Sequence, residues 1–171
     1  MNYQLISISS SKLKIRHINS ICILKDKYWK FGIKSQKEWY KKNVKKNDIH
    51  NLFYIKSKLA GYTLLRKRTC EFKILGKRIN YFLFDTFVID PKFRKKKLSD
   101  ILMNFNNTII NQSGYFSFLL CENKMINFYE KYKWKRVNKT NIELKDHLFS
   151  NNGMVFNTKK KYKKFILYFK K

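Results

Sequence analysis

The chain has 171 residues, of which 44% are hydrophobic and 17% aromatic, which excludes an intrinsically disordered protein and gives room for one core. The formal net charge of +28 is extreme for this length. It permits an anionic partner such as nucleic acid or a phosphorylated cofactor. The basic residues are, however, spread along the whole chain, and Lys, Asn, Ile, Phe and Tyr are all over-used. This pattern favours AT-rich codons, and not a nucleic-acid partner, as the origin of most of the positive charge. We expect one domain over residues 1–171, monomeric or homodimeric.

The cysteines and histidines argue against disulfides and against a metal site. Cys22, Cys70 and Cys121 lie far apart, form no CxxC pair and are not clustered with histidine, as expected in a reducing cytosol. The first ten residues lack the apolar core of a signal peptide, and no stretch approaches the ~18 apolar residues of a membrane-spanning helix. We therefore expect a cytoplasmic protein that uses no metal and no membrane.

Strands and helices are predicted in mixed order along the chain. Apolar or alternating runs predict strands at residues 3–8, 51–56, 59–66, 69–75, 80–89, 115–121, 134–137, 142–144 and 164–169. Helical spacing predicts helices from residue 12 until Phe31 and Gly32, over 35–44, from Leu98 until Ser113, and over 123–132. The serines at 9–11 are candidate N-caps, 151–153 is a turn signal, and Gly61 indicates a bulge or a close backbone approach. The sum is a mixed α/β domain with early antiparallel strands and a late strand–helix–strand crossover.

A basic turn joins the strand at 80–89 to the helix that begins at Leu98. The strand is apolar on both faces, so we expect it to be central, and Pro91 ends it. Four basic residues follow at 94–97. A tight turn that enters a helix directs free amide N–H groups at one point, and the helix dipole adds positive potential there. A pyrophosphate fits this place; a solvated basic turn explains the four residues equally well.

Two stretches resemble the signatures of the GNAT superfamily, the acetyl-CoA-dependent N-acyltransferases. The first stretch, VIDPKFRKKKLSDIL, is similar to the family's motif A. This motif consists of an Arg or Gln, two residues of any kind, a Gly, one residue of any kind, and a Gly or Ala. Its three defined positions fall on Arg94, Lys97 and Ser99. CENKMINFYEKYKWKRV is similar to the second signature, in which Lys133 stands where the family often has Gly. The two motifs cover about the middle third of the chain. The resemblance implies a mostly antiparallel twisted sheet of about six to seven strands, about four helices and a splayed parallel strand pair that holds acetyl-CoA.

The resemblance also implies which residues bind acetyl-CoA. The backbone of Val88 and Ile89 would bond the thioester and the pantetheine arm, and Asn123 would bond that arm from the other side. The pyrophosphate would be held by the amides of the turn and the first helical residues, namely Arg94, Lys95, Lys96, Lys97, Leu98 and Ser99.

Tyr129 is the candidate acid, because it stands in the Phe-Tyr-Glu-Lys part of the second signature. When an amine is acetylated, the coenzyme A thiolate leaves and takes up a proton, which a tyrosine hydroxyl can supply. The alternative is that Tyr129 packs in the core with Ile126 and Tyr132.

Asp85 is the candidate base that accepts the proton of the amine. It lies in the apolar strand among phenylalanines, where a lone carboxylate is costly and burial would make it a better proton acceptor. A salt bridge to a nearby Lys or Arg is an equal alternative, and Glu71 and Glu122 are reserve candidates.

The sequence therefore predicts an N-acetyltransferase that moves acetyl from acetyl-CoA to a primary amine of a small molecule, such as an amino sugar or an aminoglycoside-like compound. A peptide or protein N-terminus is an alternative acceptor. A basic nucleic-acid-binding protein is an alternative function, for which aromatic side chains would have to be exposed beside lysines. A GNAT-like fold without turnover is the third alternative.

Overall fold

The computed structural model describes residues 2–72, 76–94, 97–148, 151–158 and 165–170. Four α-helices occur in this part of the chain: α1 (Ile15–Trp29), α2 (Ile33–Asn43), α3 (Leu98–Ser113) and α4 (Ile126–Lys131). The strands are β1 (Tyr3–Ser9), β2 (Ile49–Ile55), β3 (Lys58–Phe72), β4 (Lys77–Ile89), β5 (Ser117–Cys121), β6 (Lys135–Arg136), β7 (Ile142–Lys145), β8 (Asn152–Phe156) and β9 (Phe165–Tyr168). In the described ranges, no helix combines the length and the apolar composition that a membrane crossing requires.

The predicted fold class is confirmed: the chain is mixed α/β, with four helices and a mostly antiparallel sheet that contains the parallel pair β4–β5. Within the described ranges the sheet has nine strands rather than six or seven. Two local predictions are wrong. Residues 59–66 and 69–75 were expected as separate strands, but β3 runs unbroken to Phe72, because Arg68 is buried and its Nε donates to the carbonyl of Phe169 at 2.9 Å. The turn expected at 151–153 is instead the start of β8.

The serines at 9–11 do not cap α1, contrary to the prediction. They form a short 3₁₀ turn, and the helix begins at Ile15 after Lys14, with no side-chain cap. Ser10 Oγ lies 2.7 Å from Nε2 of the buried His50, whose Nδ1 lies 2.8 Å from the hydroxyl of Tyr62. Burial, assisted by the charge of Lys25, lowers the pKa of His50 to about 3, so the imidazole is neutral at physiological pH.

By its contacts the chain divides into two compact units, the first of which comprises Met1–Arg66 and Thr86–Asn106. In this unit β1, β2 and the first part of β3 pair antiparallel. Successive residues of β2 serve opposite faces, as strand geometry requires. One face packs with α1 through Ile21, Leu24, Leu52, Tyr62, Leu64 and Val88. The other packs with α3 through Phe53, Ile55, Ala60, Ile89, Leu98 and Leu102.

Gly61 lies both at a β-bulge and at a close approach of the backbone, the two alternatives that the sequence indicated. A Cβ at this position would lie 2.7 Å from Cδ1 of Ile89 and 3.0 Å from Cδ2 of Leu102, so glycine permits the close packing of β3 against these residues. The register between β2 and β3 shifts beside it: Phe53 pairs with Gly61 but Tyr54 pairs with Leu59. The residue left over in this bulge is Ala60.

The second unit comprises Lys67–Asp85 and Asn107–Lys171. Its strands follow the order β4-β5-β8-β6, and β9 pairs antiparallel with the end of β3 and parallel with β7. Aromatic and aliphatic side chains fill its core: Cys70, Phe72, Tyr81, Leu83, Phe116, Phe118, Ile142, Val155, Phe165, Leu167 and Phe169.

Candidate active site

The parallel pair β4–β5 is held together at one end only. Phe82 pairs with Ser117 and Leu83 with Phe118, and Ser117 Oγ donates to the carbonyl of Phe82 at 2.8 Å. The register ends there, although β5 continues to Cys121 and all five of its residues pair with β8 on the other side. The edge of β5 beyond Phe118 is thus not used by β4, which is the splay that the resemblance implied.

In the first unit, a buried aspartate organises the turn that follows β4. Asp90 is 4% exposed, its amide donates to the carbonyl of Ala60 at 2.8 Å, and its carboxylate accepts from Lys27 Nζ at 2.6 Å and from the amide of Lys92 at 3.0 Å. Burial acts to raise the pKa of Asp90, but the two hydrogen bonds and the lysine charges outweigh it and hold the pKa below its ordinary value. Asp90 therefore joins β3, α1 and the turn.

A second contact from α1 reaches the same turn. The guanidinium of Arg94 lies 5.6 Å from the ring centre of Tyr28, at cation–π distance. Neither the contact of Lys27 with Asp90 nor that of Tyr28 with Arg94 was predicted from the sequence. The aspartate directly before Pro91 was a usable signal, since Asp at this place commonly bonds the backbone two residues on. Nothing in the sequence pointed to Lys27 or Tyr28 as its neighbours.

A pocket of about 260 Å³ opens where this turn enters α3. It is lined by Ile89, Phe93, Arg94, Lys97, Leu98, Ser99 and Asp100. Five of the predicted cofactor residues are among them, Ile89, Arg94, Lys97, Leu98 and Ser99. Lys95 and Lys96 lie outside the described residues. Val88 does not line the pocket, because its side chain packs in the cluster on the α1 side.

Lys97 has the backbone conformation for which glycine is favoured. Its φ is 55°, in the left-handed region, and its side chain is exposed. Its carbonyl accepts from the amide of Asp100 at 3.1 Å, so α3 begins directly after it. The left-handed turn at Lys97 therefore leads directly into α3, whose first amides have no acceptor within the helix. Lys133, the other position with a glycine preference, likewise has a φ of 66°.

Tyr129 is buried in the second unit, on α4. Its ring contacts Phe84 of β4 edge-on at 6.2 Å between centroids and lies 6.0 Å from Trp134. Phe84 is the first residue of β4 beyond the register with β5. The ring is therefore fixed by packing, beside the strand that the resemblance assigns to the acyl group.

Asp85 is exposed, so the prediction that phenylalanines bury it is wrong. Its neighbours Phe84 and Thr86 are buried, at 5% and 3%. Asp85 lies two residues beyond the last β4 residue in the register with β5. Burial therefore gives no reason to choose Asp85 as the base. Its position on β4 is the only support for that role.

Asn123 begins a short 3₁₀ turn, Asn123–Met125, and does not cap it; Glu122 holds the cap position. The side-chain oxygen of Asn123 accepts from Asn152 Nδ2 at 2.7 Å, and Asn152 also bonds the carbonyl of Cys121 at 3.3 Å. This bond fixes the amide of Asn123 at the end of β5.

Several solved structures that superpose on this chain are described as N-acetyltransferases or N-acyltransferases. The GNAT-family N-acetyltransferase YhbS from Escherichia coli, solved with CoA, superposes with a TM-score of 0.69 at 10% identity, over 99% of this chain and 91% of that one. An acyl-CoA N-acyltransferase from Pseudomonas aeruginosa gives 0.66 at 12%, over 90% and 99% of the two chains. PaiA N-acetyltransferase from Thermoplasma acidophilum, in complex with coenzyme A, gives 0.56 at 15%, over 91% and 98%.

No protein-family model and no curated protein matches the sequence. The superpositions nevertheless extend over almost the whole of each chain, and the chain has the GNAT acetyltransferase fold.

Proposed function

We propose that this protein is an acetyl-CoA-dependent N-acetyltransferase whose acceptor is the primary amine of a small molecule. The observation that carries the proposal is the pocket of about 260 Å³ at the start of α3, formed by the motif A residues around the left-handed Lys97. Two structures with the same fold, YhbS and PaiA, were solved with coenzyme A. The pocket offers the groups that a pyrophosphate requires.

Arg94, Lys97 and the first amides of α3 would hold the pyrophosphate. The helix has 16 residues, so its dipole and the free N–H groups of its first turn favour an anion. The guanidinium of Arg94 can bond two phosphate oxygens at once. Contacts from α1, through Asp90 and through the ring of Tyr28, would hold this turn in place before acetyl-CoA arrives.

In the proposed reaction the amine nitrogen attacks the thioester carbonyl carbon, the C–S bond breaks, and an amide forms. Backbone N–H groups of β4 at Val88 and Ile89 would bond the thioester and the pantetheine arm, and Asn123 would donate to the arm. Tyr129 would give its hydroxyl proton to the departing thiolate sulfur. Asp85 would accept the proton that the amine loses; an exposed carboxylate on β4 is also suited to attracting an ammonium group.

The charge of the protein bears on the acceptor. A polycationic aminoglycoside would meet a repulsive field from a chain of net charge +28, whereas an amine that also carries an anionic group would be attracted. Among small-molecule amines we therefore favour amino sugars with phosphate or carboxylate groups. The N-terminus of a peptide is the next acceptor to test.

The function is tested by a screen of amine acceptors with acetyl-CoA and detection of the free thiol. Tyr129→Phe in the active pair should lower kcat by about 10²- to 10⁴-fold, because general acid catalysis contributes that much, and should leave acetyl-CoA affinity within about twofold. Tyr132→Phe is the matched control, since Tyr132 is also buried and adjoins the same helix. Equal kcat in both variants would remove Tyr129 from its role. Tight, salt-dependent RNA binding without any acetyl transfer would overturn the enzyme assignment.

A further inference from the structure

The first unit contains a second pocket, of about 430 Å³, between the beginning of α1 and the strands β1 and β2. It is lined by Gln4, Ile6, Arg16, His17, Ser20, Tyr54 and Ser57. None of these residues lines the pocket at α3. Ile6 and Tyr54 pack in the cluster on the α1 face, whereas Ile89 and Leu98 of the other pocket belong to the α3 face. The two pockets therefore lie on opposite faces of the sheet in this unit.

The polar groups of this pocket retain their hydrogen-bonding capacity. The Nδ1 atom of His17 is buried and has no hydrogen-bond partner. Among the described residues, the side chains of Gln4, Arg16 and Tyr54 form no hydrogen bond or ion pair; Ser20 donates to the carbonyl of Arg16 at 3.0 Å. A buried polar atom without a partner is costly, and His17 Nδ1 is such an atom. Gln4 and Arg16 are exposed, and their unpaired side chains line the same cavity, which indicates a ligand site.

The charge of the pocket is positive. Burial, with the charges of Arg16 and Lys14, lowers the pKa of His17, and Arg16 also opposes the rise in the pKa of Tyr54 that burial causes. The guanidinium is thus near enough to act on both rings. Among the described residues, no acidic one lines the pocket, and an adjoining pocket that shares Gln4, Tyr54 and Ser57 adds Lys56.

We propose that this pocket is a second binding site, for a small molecule that carries a carboxylate or phosphate group. Arg16 would bond the anionic group with two parallel N–H donors, the geometry in which guanidinium recognises carboxylate and phosphate. Gln4, Tyr54 and Ser57 would bond the remaining oxygens, and the volume suits a metabolite of modest size. Because the lining contains no part of the pocket at α3, occupation of this site does not require acetyl-CoA.

The test follows the imidazole signals of His17 by NMR while the full-length protein is titrated with inorganic phosphate, acetate, succinate or citrate. His17→Gln assigns the signals, and about 0.15 M salt suppresses diffuse attraction to the basic surface. Arg16→Gln removes the guanidinium. Lys34→Gln removes one charge from an exposed site on α2 that lines neither pocket, and so serves as the matched control.

We expect saturable shifts with at least one probe, and whether phosphate or the carboxylates give them identifies the ligand group. Arg16→Gln should weaken binding by about 10- to 100-fold, as expected for a lost charge-assisted hydrogen bond, and Lys34→Gln by no more than about twofold. Saturating acetyl-CoA should leave the affinity unchanged. The absence of saturable shifts, equal weakening in the two variants, or displacement of the probe by acetyl-CoA would each overturn the proposal.

Discussion

Replacing Lys97 by glycine tests the conformation of the turn that lines the pocket at the start of α3. The φ of 55° at Lys97 is unfavourable for any residue with a Cβ, by about 1–2 kcal/mol. Glycine removes this cost, but it loses about 0.5–1 kcal/mol through the greater freedom of the unfolded chain. The two effects together predict that Lys97→Gly is more stable than the wild type by up to about 1.5 kcal/mol.

Lys97→Ala separates the backbone effect from the loss of charge. Alanine removes the ammonium group, as glycine does, but keeps the Cβ and therefore the strain. Lys97→Gly should exceed Lys97→Ala in free energy of unfolding by about 0.5–1 kcal/mol, which urea denaturation without ligand can resolve if the m-values of the variants agree. At an ordinary helical or extended position the order is reversed, because alanine is then the more stable of the two. Observing that reversed order would refute the left-handed turn.

Two further variants test the packing and the electrostatics around this turn. Gly61→Ala places a Cβ 2.7 Å from Ile89 Cδ1 and should lower the free energy of unfolding by about 1–3 kcal/mol, measured by urea denaturation; an unchanged value would contradict the close packing. Asp90→Asn should lower stability at pH 7 by about 1.5–3 kcal/mol through the lost charged hydrogen bond to Lys27. The folded-state pKa of Asp90 lies below its ordinary 3.8, so its contribution is present above that value and is lost as pH falls through the folded pKa. The difference between wild type and Asp90→Asn should accordingly shrink in acid, and a difference that grows there would contradict the ion pair.

The sequence predicted the elements that form the site because their patterns are local. The apolar run of β4, the basic turn and the helical spacing after Leu98 lie within a few residues of one another. Such features follow from neighbouring residues and need no knowledge of the fold.

The exposure of Asp85 could not be predicted in this way. An apolar run predicts a covered strand, but the exposure of one side chain within it depends on what packs on that face of the sheet, which neighbouring residues do not determine. The contact between Lys27 and Asp90 joins residues 63 positions apart. It depends on how α1 packs on the sheet, and neither residue shows a pattern that selects the other.

The most direct test of the account is calorimetric titration of the protein with acetyl-CoA. We predict one site of micromolar affinity, an affinity that falls as salt rises, and about tenfold or greater weakening in Arg94→Gln, because that variant loses a charge-assisted bond to phosphate. Lys34→Gln, which changes the net charge equally at a distant exposed site, should bind as the wild type does. No saturable binding at millimolar acetyl-CoA, or equal affinity in Arg94→Gln and wild type, would contradict the account.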